Sequence, residues 1–587
     1  MLVLGLLNMR DAAAALVRDG RILAAAEEER FLRIKHVTAL PVHAIRSCLR
    51  TAGVELAQVD EIAVSWKYWV LGRRAALALG AMLRSPTLFR VKGQRSLERV
   101  RGEWLELAWL SRKLRAQLGP SQARPVYLDH HLCHAASTFL VSPFERAAIL
   151  VVDGASEAHT SMLAMGEGTD IKVLSRIDLP HSLGQFYAAM TAYLGFRPDH
   201  DEYIVMGLSA YGEPRYADIF RNHILRLLPD GGFHLNTRLL DFHLARVGIF
   251  MPSLRELLGP NRLAGEELTQ RHRDLAASFQ VVLEEALLHL GRHLKRLTKA
   301  DHLCLAGGVA YNCVANSRIR RELEFREVYI QPAAGDAGTA LGAALWLSAR
   351  RRGMPERQVM RDAYLGPRYS EEECRHALDE VGLAWQTLPD QALCERLAAE
   401  LAGGRLVFWF QGRMEWGPRA LGNRSLLADP RREDMRELIN AKVKLREPFR
   451  PFAPSVLEER AAEFFEAPGP SPFMLFTTKV RPSAKGIIPA VVHVDGTSRI
   501  QTVDQDSNPK FRRLLQAFDR ITGVPMLLNT SFNVNEPIVC SPAEAVRCFL
   551  RTQVDFLVLE NLLVARPRSV MGDPSTGLGM VSLSNHG

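Results

Sequence analysis

The sequence predicts an α/β protein of two domains, and three observations point there. At 587 residues the chain exceeds what one hydrophobic core usually covers. The order of apolar runs and turn residues at the start of the chain returns from Ala147. Further on, the apolar runs at 406–411 and 556–559 bracket a second set of strands and helices. Hydrophobic content of 47% with 24% charged residues is ordinary for a globular chain and argues against long disordered tracts.

Taken in order, the opening holds an apolar run at 2–7, a small-residue run at 12–17, the turn pair Asp19-Gly20 and an apolar run at 22–26. That is a three-strand meander. From Ala147 the same order recurs as AILVVDG, a strand at 160–165, the turn GEG and a strand at 171–177. Two such meanders, each feeding helices, suggest a duplicated α/β domain of the kind seen in actin and the sugar kinases, where ATP sits between the halves. Helical sequence at 268–297, the strand in DHLCLAGG and the segment PAAGDAGTALGAALWL close this domain, expected to span 1–350. The polar join ARRRGMPERQ predicts a linker over 351–364. Its run Arg350, Arg351, Arg352 reads equally as a solvated helix C-terminus. Ser370 opens a capping box for a helix to Glu380, within a second domain expected at 365–570 and followed by a tail at 571–587.

A net charge of +9, from 74 basic and 65 acidic residues, suggests an anionic ligand. The eight cysteines form no CxxC pair, so disulfides are not expected and a reducing cytoplasm is. The start MLVLGLLNMRD reads as a buried strand rather than a signal peptide, and no apolar run approaches the roughly 20 residues that span a bilayer. No membrane association is expected.

Four residues make a candidate metal site. In DHHLCHAAS, His130 and His134 lie one helical turn apart on one face, while Asp153 ends an apolar strand and Asp336 sits in GDAG. Two imidazoles with two carboxylates suit iron, manganese or zinc. Taken singly, each has a plainer reading as a capping or turn residue. The pair Gly307-Gly308 can let backbone approach phosphate or adenine, or simply form a tight turn.

The densest chemistry lies between Gln411 and Ser455, where Arg413, Arg419, Arg424, Lys442, Lys444, Arg446 and Arg450 stand among glycines and prolines. Such a mix of arginine forks and lysine point charges suits a ligand with several phosphates. No GxxxxGK[ST] loop occurs, so side chains would hold ATP. A basic face for RNA is the plainer alternative, but Phe449 and Phe452, flanked by prolines, look like core anchors rather than stacking platforms. Arg499, and Asn529, Thr530 and Ser531 at the end of the strand in PMLLNTSFN, add polar groups that can orient a small carbonyl or phosphate.

The motifs DAAAALVRDGRILAAAEEERFLRIKH, DHHLCHAAS, SLGQFYAAMTAYLGF, GGVAYNCVAN, GDAGTALGAA, EWGPRALGNRSLLADPR, KLREPFRPFAPSV and LLNTSFN together resemble the antibiotic and nodulation-factor O-carbamoyltransferases over nearly the whole chain. The resemblance implies an N-terminal domain like the tRNA threonylcarbamoyl transferases and a C-terminal domain like the threonylcarbamoyl-adenylate synthases. It implies that carbamoyl phosphate and ATP, with Mg2+, give carbamoyl-adenylate, from which the carbamoyl group passes to a hydroxyl of a small-molecule acceptor. By the same resemblance His130, His134, Asp153 and Asp336 hold a divalent metal, expected to be Fe2+. Lys35, Lys444 and Arg499 are expected to be catalytic. Arg10, Asp11, Gly307, Gly308, Asn312, Arg419, Arg450, Asn529 and Ser531 are expected to bind substrate or nucleotide.

The chain departs from the family at Arg10, where a histidine usually precedes the aspartate, at Ile204 in EYIVMGL and at Ser156 in DGASE. An arginine is no general base at neutral pH, so the transfer step points to a different base such as His36 or to an altered acceptor. Two other functions remain open, a tRNA-modifying threonylcarbamoyl transferase and a non-catalytic nucleotide-binding scaffold. Neither nucleic acid nor membrane is an expected partner, a homodimer is left open, and the basic helical segment 66–118 is read as a lid, an acceptor groove or a plain surface hairpin.

Overall fold

The computed structural model describes residues 1–70, 107, 109–240, 250, 252–354, 357–444, 446–447, 449–466 and 469–566. Most of the predicted basic segment 66–118, and the tail, lie outside the described residues.

The opening meander forms β1 (Leu2–Leu7), β2 (Ala13–Arg18) and β3 (Arg21–Glu27), joined by β4 (Glu61–Val64) and β5 (Pro125–Tyr127) in the order β3-β2-β1-β4-β5. The meander pairs are antiparallel, whereas β1/β4 and β4/β5 are parallel. The second meander forms β6 (Arg146–Val152), β7 (His159–Glu167) and β8 (Asp170–Asp178). After a small hairpin of β9 (Leu225–Leu227) and β10 (Phe233–Leu235), it is completed by β11 (His302–Ala306) and β12 (Glu327–Ile330). Its order, β8-β7-β6-β11-β12, and its pairing senses are those of the first sheet.

Burial explains why β1 and β6 are nearly continuous apolar runs. Every residue of β1 is buried, as expected for a strand covered on both faces. The helix Gly338–Arg352 lies directly on it at Gly5, where a Cβ would stand 1.9 Å from the Ala340 carbonyl oxygen. The same helix meets the helix His130–Phe139 through Gly342, where a Cβ would stand 1.9 Å from the Cys133 carbonyl oxygen. The small residues of GTALGAA therefore bring two helices and a sheet into close layers, and both helices carry candidate metal ligands at their N-terminal ends.

The C-terminal half is built on one eight-stranded mixed sheet. Its strands are β13 (Gln386–Thr387), β14 (Val407–Phe410), β15 (Arg424–Ala428), β16 (Ala453–Leu457), β19 (Gln501–Val503), β20 (Met526–Ser531), β21 (Phe556–Leu559) and β22 (Leu562–Ala565). The order is β13-β22-β21-β14-β15-β20-β16-β19, and β17 (Thr478–Lys479) and β18 (Thr497–Ser498) form a separate hairpin. The predicted capping box is present, with the Ser370 hydroxyl and Glu373 carboxylate bonded to each other's backbone amides.

Residues 357–364, part of the polar linker expected over 351–364, are fastened to the N-terminal half. The Met360 amide donates to the Val141 carbonyl at 2.9 Å, and the Gln358 side chain accepts from the Ile22 amide at 2.8 Å. Arg351 pairs with Glu61 at 3.0 Å, as suits an exposed helix end. The EEERFLR segment clamps the two halves, because the Arg30 guanidinium donates to the Gly417 carbonyl at 2.9 Å and that of Arg33 to the Ile538 carbonyl at 2.7 Å. All eight cysteines are free and buried. Among the described residues no helix is long and apolar enough to cross a membrane.

Candidate active site

Functional groups gather in two clusters, one within the N-terminal half and one in the C-terminal half that couples to Lys35. The first is set by the helix His130–Phe139, which Asp129 caps by accepting from the Leu132 amide at 2.9 Å. Its i, i+4 spacing turns His130 and His134 to one side. The Nδ1 of His130 lies 3.1 Å from the Ser65 carbonyl, so a proton on Nδ1 leaves Nε2 as a lone-pair donor. Asp153, at the end of β6, spends Oδ1 on the Gly308 amide at 2.9 Å and turns Oδ2 to the histidines.

From the histidine Nε2 atoms the carboxylates stand 3.8 and 3.9 Å away at Asp153 and 3.5 Å away at Asp336. Ligands at about 2.1 Å from one ion, arranged roughly tetrahedrally, stand about 3.4 Å apart. Both Nε2 atoms are buried without a hydrogen-bond partner. Two orphaned imidazole nitrogens and two carboxylates within 4.8 Å of one another fit one divalent cation. Burial alone would lower the His130 pKa, but Asp153 and Asp336 outweigh it and hold it well above the ordinary histidine value.

The second cluster is cationic. Burial, with Arg499 beside it, pushes Arg419 down to about 9, and burial with Arg450 does the same to Arg446. Lys444 is 1% exposed and is lowered by burial and then by Arg446. Lys35, from the N-terminal half, is lowered by burial and by Arg450, against the opposing effect of Glu29. The Nε atoms of Arg419, Arg446 and Arg499 are buried and unpartnered, and the one carboxylate paired with this set is Glu447, 3.4 Å from Arg450, among the described residues. A set of cations with so little compensation is chemically suited to a polyanion. A cavity of about 250 Å3 adjoins it, lined by Met206, Gln280 and Glu284 on one side and by Phe452, His493 and Arg499 on the other.

Residues 3–345 match the family description "Carbamoyltransferase N-terminus" and residues 398–566 match "Carbamoyltransferase C-terminus". The chain belongs to the carbamoyltransferase family. It is 41% identical to the nodulation protein NolNO of Sinorhizobium fredii, over 95% of this chain and 79% of the relative. It is 42% identical to a protein of unassigned function from Synechocystis sp., over 95% of each. Component A of the (R)-2-hydroxyglutaryl-CoA dehydratase of Acidaminococcus fermentans superposes over 60% of this chain and 100% of its own, at 15% identity and a TM-score of 0.31.

Not every basic residue of this carbamoyltransferase's C-terminal cluster faces the site. Arg424 is fully buried over the Phe410 ring at 3.5 Å and donates to the Gln411 carbonyl at 2.6 Å. Arg413 donates to the Leu23 carbonyl at 3.0 Å and ties the halves together. Neither is placed for a phosphate. Gly308, expected near phosphate or adenine, already gives its amide to Asp153, and Gly307 is required because a Cβ there would stand 2.2 Å from the Val152 carbonyl oxygen. Asn312 caps the helix Cys313–Glu322 and bonds Gln280 at 2.9 Å, while Asn529 donates to Ser455 at 2.8 Å within the sheet. Arg10 pairs with Asp199 at 3.4 Å, and Asp11 with His36 at 2.7 Å.

Sequence reasoning missed Glu415 and Asn533. The Glu415 carboxylate, 4% exposed, accepts from the amides of Leu421, Asn423 and Arg424 at 2.7, 2.8 and 3.1 Å. That hub shapes the loop carrying Arg419. Its only sequence signal was a lone acid within the basic GRMEWGPRALGNR. Glu415→Gln keeps one acceptor oxygen but loses its charge, and a cost of about 1.5–3 kcal/mol is expected in chemical denaturation of the purified chain.

Proposed function

We propose that the chain is an ATP-dependent O-carbamoyltransferase that forms carbamoyl-adenylate in its C-terminal half and transfers the carbamoyl group to a hydroxyl of a small-molecule acceptor in its N-terminal half. The observation that carries this reading is the cationic cradle, in which Lys35 joins Arg419, Lys444, Arg446, Arg450 and Arg499 across the interface. Carbamoyl phosphate, ATP as its Mg2+ complex and the adenylate are all anions, and each transition state gathers charge on departing phosphate oxygens. Preorganised cations in a water-poor cleft stabilise that charge. In balance, carbamoyl phosphate, ATP and water give carbamoyl-adenylate, phosphate and pyrophosphate.

The domains are proposed at 1–350 and 365–570, and the common strand order of the first two sheets supports a duplicated actin-like N-terminal domain. His130, His134, Asp153 and Asp336 would hold the metal, ferrous iron on this reading, which when bound supplies Lewis-acid polarisation of a carbonyl oxygen. The Ser65 carbonyl would keep His130 in the ligating tautomer, and the Gly308 amide would fix the Asp153 carboxylate.

The test is isotope exchange between ATP and pyrophosphate with purified protein. Exchange is expected to require carbamoyl phosphate, and exchange that is absent, or indifferent to carbamoyl phosphate, overturns the adenylate.

A further inference from the structure

We propose that His36, oriented by Asp11, is the general base that takes the acceptor's hydroxyl proton, an assignment that rests on the two-step reading above. The His36 Nδ1 and the Asp11 Oδ1 stand 2.7 Å apart, so an Nδ1–H donated to the carboxylate leaves Nε2 to receive a proton. Both side chains are about one-third exposed, at 32% and 30%, so an outside acceptor can reach them. The backbone there is unusual. Asp11, His36 and Asp199 hold φ of 58°, 55° and 58°, a left-handed conformation that non-glycine residues seldom take and that clusters at functional sites.

Contacts link these residues to one another's neighbours. The His36 amide donates to the Glu29 carboxylate at 3.1 Å, Arg10 spans to Asp199 at 3.4 Å, and the His36 and His200 rings meet edge to face at 5.0 Å. Lys35, the preceding residue, is lowered by burial, against Glu29, and by Arg450, which couples this segment to the cradle. Two other groups there fit the role less well. Arg10 carries a guanidinium, which offers donors and no acceptor. His200 has its own aspartate at 2.6 Å, but Asp201 also accepts from the Arg197 backbone amide at 3.0 Å and its guanidinium at 3.2 Å. Asp11 serves His36 without such a competitor in hydrogen-bond contact among the described residues.

In the step, the acceptor oxygen attacks the carbamoyl carbon while Nε2 takes its proton. A new C–O bond forms, the bond from that carbon to the adenylate oxygen breaks, and AMP leaves with the electron pair. The imidazolium then returns its proton to solvent.

Water and hydroxylamine separate a base from a merely structural residue, because water must be deprotonated to attack and neutral hydroxylamine need not be. With full-length metal-loaded protein, ATP and carbamoyl phosphate, His36→Asn is expected to slow AMP release into water by about 100-fold. AMP release supported by hydroxylamine should change by no more than about threefold, within the scatter of a residue that supplies no proton transfer. Asp11 acts as a positioning residue, so Asp11→Asn should show the same water-selective loss and added imidazole should restore part of the rate in His36→Gly. Equal losses with both nucleophiles, no loss with either, or a larger water-selective loss in His200→Asn would overturn the assignment. Absence of carbamoyl-phosphate-dependent exchange in the unaltered protein would instead overturn the two-step reading beneath it.

Discussion

Lys444→Met is expected to reduce carbamoyl-phosphate-dependent ATP–pyrophosphate exchange by about 1,000-fold while leaving the chain folded. The ammonium sits at the end of the irregular helical turn Asn440–Lys444 and donates to the Ser531 carbonyl at 2.5 Å, the Asn533 carbonyl at 2.8 Å and the Asn533 side-chain oxygen at 2.7 Å. All these partners are neutral, and burial followed by Arg446 lowers its pKa well below the usual lysine value of 10.5. A buried cation beside other cations and without a carboxylate is poor architecture for stability and good architecture for an arriving anion. Methionine fills much the same volume, so two opposing changes decide its effect on stability. Removing the desolvated charge helps, while orphaning the acceptors costs about 1–3 kcal/mol each. The balance is expected to stay within about 2 kcal/mol, far short of the loss in activity.

The sign of the pH dependence follows from the lowered value. Between the depressed folded pKa and 10.5 the unfolded chain binds more protons at Lys444 than the folded chain does, so this group's contribution to stability rises with pH across that window. Denaturation of the two proteins in parallel, at neutral pH and near pH 10, checks it. The stability difference should shift toward the unaltered protein at the higher pH.

The grouping of the four candidate metal ligands was legible because their chemistry is tied to spacing. A helix makes His130 and His134 neighbours wherever it packs, and an aspartate closing a buried strand has few places to point. Direction of side chains within the basic stretch was not legible. Arg419 and Arg424 look alike in PRALGNRS, yet Arg424 begins β15, where pairing with β14 turns it over Phe410, whereas Arg419 rides on the loop that Glu415 gathers. Contacts from distant chain decide such questions. Gly307 could be read as a tight turn or as backbone open to phosphate, and only the Val152 carbonyl of β6 shows why a glycine is needed there; residues 357–364 read as linker because their partners Val141 and Ile22 lie far off in sequence. The three-strand meander in each five-stranded sheet needed only local patterns of turns and apolar runs, whereas the short parallel strands β4, β5 and β12 had no such signal and owe their places to pairing with distant chain.

His134→Ala is expected to abolish stoichiometric metal binding, lowering the metal content of purified protein from about one ion per chain by at least about 10-fold. His134 is the better probe of the pair because its Nδ1 has no partner, whereas His130 is also bonded to Ser65. The residue left behind is not neutral with respect to folding. Asp153 and Asp336 share a pocket with two buried imidazoles, and a cation that binds only the folded chain stabilises it by about 4 kcal/mol at 1,000 times its dissociation constant. Chelation of the unaltered protein should therefore lower its thermal midpoint by several degrees, and re-addition of ferrous iron, manganese or zinc should restore it in the order of their affinities. The variant starts without that stabilisation, so its midpoint should lie near that of the chelated protein and should not respond to chelator. A chelator-sensitive midpoint in His134→Ala would mean that the ion binds elsewhere, and a metal-free, chelator-insensitive unaltered protein would mean that the four groups serve one another through protons alone.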